Sequence, residues 1–172
     1  EVTTELWHAE PNHPNLLTAP IGVAISELLD LGGSIWLTST ATVRPTTTHG
    51  CEVFTDEVVN FIQQQTAESK PYFAYLAFDG PHDPHIVPED YPVKYPVESI
   101  PLPPNYMPQH PFNNGEMLIR DEQLLPWPRT ELAVRQMIAD YYRYISYLDM
   151  QIGRVLDAVA KSPQAKNTII VF

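Results

Sequence analysis

The stretch Pro71-Tyr72-Phe73-Ala74-Tyr75-Leu76-Ala77-Phe78-Asp79-Gly80-Pro81-His82-Asp83-Pro84-His85 decides the fold. It opens with an almost unbroken apolar and aromatic run, Pro71 to Phe78, and breaks at Asp79-Gly80-Pro81. A run of this length bounded by turn residues reads as a strand, 72–78, buried on both faces. In α/β sheets the ligand crevice lies past the carboxyl ends of such strands. His82 therefore stands where a parallel sheet keeps its chemistry, with His85 three residues on. Pro81, Pro84 and Pro88 fix φ at three points and stiffen the loop. The same residues also read as a surface loop that carries histidines incidentally.

Upstream, residues 54–69 read as a helix. Thr55 is the candidate N-cap, and Asp56 and Glu57 put negative charge in the first turn. Phe54, Val58, Phe61, Ile62 and Gln65 keep a helical spacing with one polar end. A helix followed closely by a buried strand is half of a βαβ crossover. Further upstream, Ile21 to Leu31 reads as a short helix and Ser34 to Val43 as strand-like.

Downstream, residues 79–128 show no strong period and are punctuated by proline. A loop this long in a compact domain is uncommon unless functional. It reads as a stiffened excursion over the carboxyl edge of the sheet, pinned by Phe112, Met117, Trp127 and several tyrosines. Residues 130–161 read as a helix of about nine turns at 3.6 residues per turn. Thr130 caps it, and Leu132, Ile138, Tyr141, Tyr142, Ile145, Leu148, Ile152, Val155, Leu156 and Val159 form its apolar set. The run 168–172 is β-branched and aliphatic and reads as a second strand of the same layer as 72–78.

Composition bounds the function. At 172 residues, 44% of them hydrophobic, the chain builds a core. A net charge of −11, from 21 acids against 10 bases, argues against binding nucleic acid through a basic surface. An anionic substrate in a locally positive pocket remains compatible with that balance. No apolar stretch reaches the roughly 18 residues that a membrane span needs. The single cysteine, Cys51, cannot form an intrachain disulfide. Prolines number 18, about twice the usual 5%.

The order of segments resembles the sulfatase family of the alkaline-phosphatase-like superfamily, and is closest to bacterial arylsulfatase-like and iduronate-sulfatase-like members. The residues that carry the resemblance begin with the buried strand and Pro81-His82-Asp83-Pro84-His85. They continue with the proline-rich segment 105–116, Arg120-Asp121-Glu122, Pro128-Arg129-Thr130, and the helix with Tyr147-Leu148-Asp149 before 167–172. The match covers about residues 52–172. It implies a mostly parallel central sheet flanked by helices, with residues 1–172 the middle of one catalytic domain, incomplete at both ends.

The resemblance implies hydrolysis of sulfate esters, on a sulfated small molecule or glycan, by a formylglycine nucleophile and calcium. Members are often periplasmic or secreted. His82 matches a sulfate-contacting histidine, and His85 is a candidate second contact. Trp7-His8 resembles the Trp-His of a Gly-Lys-Trp-His motif, which makes His8 a candidate catalytic residue. Glu5-Leu6 stands where Gly-Lys is expected, and leucine cannot donate to an anion. No Cys/Ser-x-Pro-x-Arg occurs, and Cys51 is followed by Glu52-Val53-Phe54-Thr55, so the formylglycine and the calcium ligands are expected outside this chain. The chain by itself is then expected to be inactive.

Two further readings stay open: a phosphodiesterase or phosphomutase of the same superfamily, and a non-catalytic remnant. A zinc site at His82-x-x-His85 lacks a second cluster of ligands. Asp79 with Asp83 is a weaker acid–base pair. Asp149 reads as a solvent-facing charge or a partner of a loop arginine. Tyr141, Tyr142, Tyr144 and Tyr147 read as packing, with a sugar platform as the alternative.

Overall fold

The computed structural model describes residues 33–37, 49–68, 71–119 and 123–172. The chain divides into two compact units. One is drawn from residues up to His82 and from Leu148 onward, the other from Asp83 to Tyr147.

In the first unit, helix α1 spans Gly50–Glu68, four residues longer at its start than the pattern predicts. His49 explains the extension. Its ring Nδ1 accepts from the Cys51 amide at 3.2 Å. Its carbonyl accepts from the amides of Glu52 and Val53 at 2.9 and 3.1 Å. The cap is thus His49 and not Thr55. Thr55 is fully buried inside the helix, and its hydroxyl donates back to the Cys51 carbonyl at 2.8 Å.

The apolar stripe of α1 does what its spacing predicts. Val58, Phe61 and Ile62 are buried with Val159, and Phe54, Tyr72, Leu76, Val155 and Ala158 pack around them. Phe61 meets the edge of Tyr72 with ring centroids 5.8 Å apart.

Strand β1, Gly33–Leu37, and strand β2, Tyr72–Leu76, form a parallel pair, with Gly33 opposite Tyr72 and Leu37 opposite Leu76. The helix lying between two parallel strands in sequence completes the βαβ order. Residues 38–43 of the expected upstream strand, and the helix expected over 21–31, lie outside the described residues.

Two expectations for the sheet are corrected. Strand β2 ends at Leu76 and is not buried on both faces, because Ala74 and Tyr75 are exposed, Tyr75 to 45%. Among the described residues the sheet has two strands, and 168–172 is neither of them. A 3₁₀ turn at Ala165–Asn167 leads into backbone that joins no strand among the described residues, with Ile169 and Phe172 exposed to 89% and 96%. β-Branched composition favours extended backbone, but a strand also needs a neighbour for its amides and carbonyls.

Helix α2 spans Glu131–Lys161. The Thr130 hydroxyl accepts from the Ala133 amide at 3.2 Å, the cap the sequence predicts. Glu131 and Arg135 pair at 3.8 Å. Within the first unit the helix buries Gln151 and Val159. Arg154 bridges Gln151 Oε1, at 2.8 Å, and the Asp56 carboxylate. Leu132, Ile145 and Leu156 of the expected apolar set are exposed. No described helix is long and apolar enough to cross a membrane.

The second unit is loop held to helix. Within it α2 buries Ala139, Tyr144 and Tyr147. Arg143 donates to the carbonyls of Pro88, Glu89, Tyr91 and Val93 at 3.1, 3.4, 2.9 and 3.0 Å. Arg135 donates to the carbonyl of Ile100, which is buried. Tyr95 and Ser146 share a hydroxyl bond of 2.7 Å, and the Tyr106 hydroxyl donates to the Arg129 carbonyl at 2.5 Å. The excursion is therefore ordered by backbone carbonyls offered to arginines as well as by the aromatics the sequence suggests. Trp127 does pin it, under Arg129 at 4.3 Å and against His110 at 5.6 Å. Phe112, although 59% exposed, tilts against the same His110 ring at 5.7 Å. The turn expected near Asn114-Gly115 forms, with Gly115 at φ 89°, where a side chain would be strained.

Candidate active site

The candidate site lies beyond the carboxyl end of β2. The chain leaves the strand at Leu76, turns, and presents His82. The turn is closed by the His82 amide, which donates to the Asp79 carbonyl at 3.1 Å. The Gly80–Pro81 and Asp83–Pro84 bonds are cis. Proline at 81 fixes the backbone just before the histidine, and the imidazole is solvent-exposed. An exposed imidazole on a hydrogen-bonded turn can donate N–H to an oxyanion.

His85 belongs to the second unit. It is half-buried, edge-on to Tyr141 at 5.0 Å and tilted against Tyr144 at 6.2 Å. It borders a hollow of about 610 Å³ on the face of α2 that carries Met137, Tyr141 and Tyr142, with Pro101 and Pro104 on the opposite wall. His8, with Trp7, lies outside the described residues.

Cys51 is fully buried in the first turn of α1. Asp149 is exposed on α2, as a solvent-facing charge. Of the four tyrosines, Tyr144 and Tyr147 are core, while Tyr141 and Tyr142 are 37% and 42% exposed.

No group of three or more His, Cys, Asp or Glu that could hold a metal is found among the described residues. The described residues thus bring together no ligand set for a calcium ion.

Sequence reasoning missed Arg143, whose helical position gives no sign that four loop carbonyls converge on it. It also missed the hollow. The signal available was the pairing of a proline cluster, 101–104, with adjacent tyrosines on a long helix.

A parallel strand pair spanning a helix is an α/β arrangement, and in such folds ligands bind past the carboxyl ends of the strands, where the Pro-His turn stands. A family model described as Sulfatase matches residues 25–172, and the chain belongs to that family. Membership carries the alkaline-phosphatase-like α/β fold with it. The match begins upstream of the segment 52–172 that carries the sequence resemblance, and downstream of Trp7-His8.

Among curated proteins, the chain is 35% identical to a sulfatase of Formosa agariphila, over 67% of this chain and 24% of the relative. It is 30% identical to iduronate 2-sulfatase of Mus musculus, over 69% and 24%. It is 29% identical to an arylsulfatase of Clostridium perfringens, over 68% and 24%. The chain thus spans about a quarter of the length of these relatives.

Proposed function

We propose that the protein to which these residues belong hydrolyses sulfate esters, with His82 donating a hydrogen bond to a sulfate oxygen. The observation that carries this reading is the position of His82, on a closed turn directly after β2, in a chain of the sulfatase family. A donor aimed where charge develops lowers the barrier more than one that only binds the ground state. The rest of the layer is a mostly parallel sheet, of which β1 and β2 are two members, and residues 1–172 are the middle of one catalytic domain. His85 is a second, weaker candidate for substrate contact, and His8 a further catalytic one.

A formylglycine nucleophile and calcium are assigned to chain outside these residues. When bound, calcium polarises the sulfate oxygens. What this chain does is hold an N–H donor in place on a turn that does not have to reorganise during the reaction. The substrate is a sulfated small molecule or glycan, as the names of the iduronate and aryl relatives suggest.

The test is release of sulfate from 4-nitrophenyl sulfate by the complete protein, beside release of phosphate from 4-nitrophenyl phosphate. Faster sulfate release is expected. Faster phosphate release would shift the assignment to a phosphoryl-transfer enzyme, and turnover of neither would mark a non-catalytic relative.

A further inference from the structure

We infer that one buried water molecule binds between Gln65, Tyr72 and Ser162 and ties the first residue of β2 to the carboxyl ends of α1 and α2. All three residues lie in the first unit.

Three buried oxygens point to it. Gln65 Oε1, the Tyr72 hydroxyl and Ser162 Oγ are each shut off from solvent, and none meets a hydrogen-bond partner among the described residues. Buried polar atoms in folded proteins are bonded in the great majority of cases, to protein or to an ordered water.

The two helices bring these atoms to one level of the core. Asp56 of α1 pairs with Arg154 of α2, and Val58, Phe61 and Ile62 pack with Val155, Ala158 and Val159. The helices therefore run side by side in the same direction over this stretch. Gln65 lies nine residues past Asp56 and Ser162 eight past Arg154, roughly 13 and 12 Å along the axes. Gln65 follows Phe61 by four residues and Ile62 by three, so it continues the buried face of α1. The Ser162 amide donates to the Val159 carbonyl at 3.0 Å, a three-residue step that stacks its side chain over Val159. Tyr72 packs on the same cluster, against the ring of Phe61 at 5.8 Å.

The donor count selects the ligand. Gln65 Oε1 only accepts, whereas each hydroxyl can donate. A water that donates to Gln65 and accepts from Tyr72 and Ser162 makes about three bonds, the usual number for a buried water. An anion would be repelled by the amide oxygen. A calcium ion takes carboxylate oxygens, and the trio has none. With the water in place, β2 is held at its amino end by both helices, while its carboxyl end leads to the His82 turn.

The test combines hydrogen exchange of the α1 amides in the complete protein with its crystal structure. Tyr72→Phe and Ser162→Ala each remove one donor to the water, and each should lower α1 protection about fivefold. The double variant should lose about five- to tenfold in all, short of the roughly 25-fold of two independent sites, because both hydroxyls serve one water. The crystal structure should show a water about 2.8 Å from all three oxygens. The bridge is overturned if Tyr72→Phe raises protection, as removal of an unpaired buried hydroxyl would. It is equally overturned if the two losses multiply, or if the three oxygens share no water in the crystal.

Discussion

Arg143 holds Tyr91 twice: its Nη2 donates to the Tyr91 carbonyl at 2.9 Å, and its Cζ lies 5.9 Å from the centroid of the same residue's ring. The guanidinium fork then reaches Pro88, Glu89 and Val93 as well. A lysine is a point donor and cannot span several carbonyls at once. Arg143→Lys is expected to cost about 1–2 kcal/mol and Arg143→Met about 2–3 kcal/mol, since the freed carbonyls lose charged donors. Thermal melts check the magnitude. Limited proteolysis checks the place, with new cleavage expected between residues 88 and 93.

The core of the first unit makes a sharper prediction. Phe61 is 2% exposed and meets Tyr72 at 5.8 Å. Phe61→Ala should cost about 3–5 kcal/mol, the range for emptying a packed aromatic site. Leu132→Ala, at a position 69% exposed, should change stability by less than about 0.5 kcal/mol. Urea unfolding of the two variants separates them. Equal losses would contradict the burial pattern.

The surface pair of Arg154 with Asp56 is a weak contributor. Both side chains are substantially exposed, at 40% and 46%. Asp56→Asn should cost below about 1 kcal/mol, and the loss should shrink in 0.5 M salt. A chemical melt at two salt concentrations reads this directly.

Thr130 is a cap of ordinary strength. Its hydroxyl accepts from the Ala133 amide, so Thr130→Ala should cost about 1 kcal/mol and Thr130→Asp much less. The corresponding change Thr55→Ala probes a different role, because Thr55 is buried and bonds back to Cys51. A Thr55→Asp change, harmless at a cap, should destabilise the protein by burying a charge.

These contrasts show what the sequence makes legible. Val58, Phe61 and Ile62 were readable because a helix presents residues three and four apart on one face, and that face found its partner. Thr130 was readable because nothing competes with it as a cap. Thr55 was not, because the competing cap is a histidine ring six residues upstream, which no propensity scale favours. The run 168–172 has strand composition but no strand neighbour among the described residues, and composition is silent about neighbours. On α2 the apolar pattern is spread around the helix, so spacing could not say that Tyr144 and Tyr147 go in while Tyr141 and Tyr142 stay out. Of the candidate site, the sequence places the Pro-His turn after β2, whereas the hollow needs residues 101–104 and 137–142 brought together.

The most direct measurement is kcat/KM for 4-nitrophenyl sulfate with His82→Ala, made in the complete protein and compared with the wild type. An imidazole that donates to the reacting sulfate predicts a fall of about 10²–10³-fold, mostly in kcat, with the melting temperature unchanged. A variant that keeps wild-type kcat/KM within about twofold while remaining folded would contradict the assignment of His82 to the oxyanion.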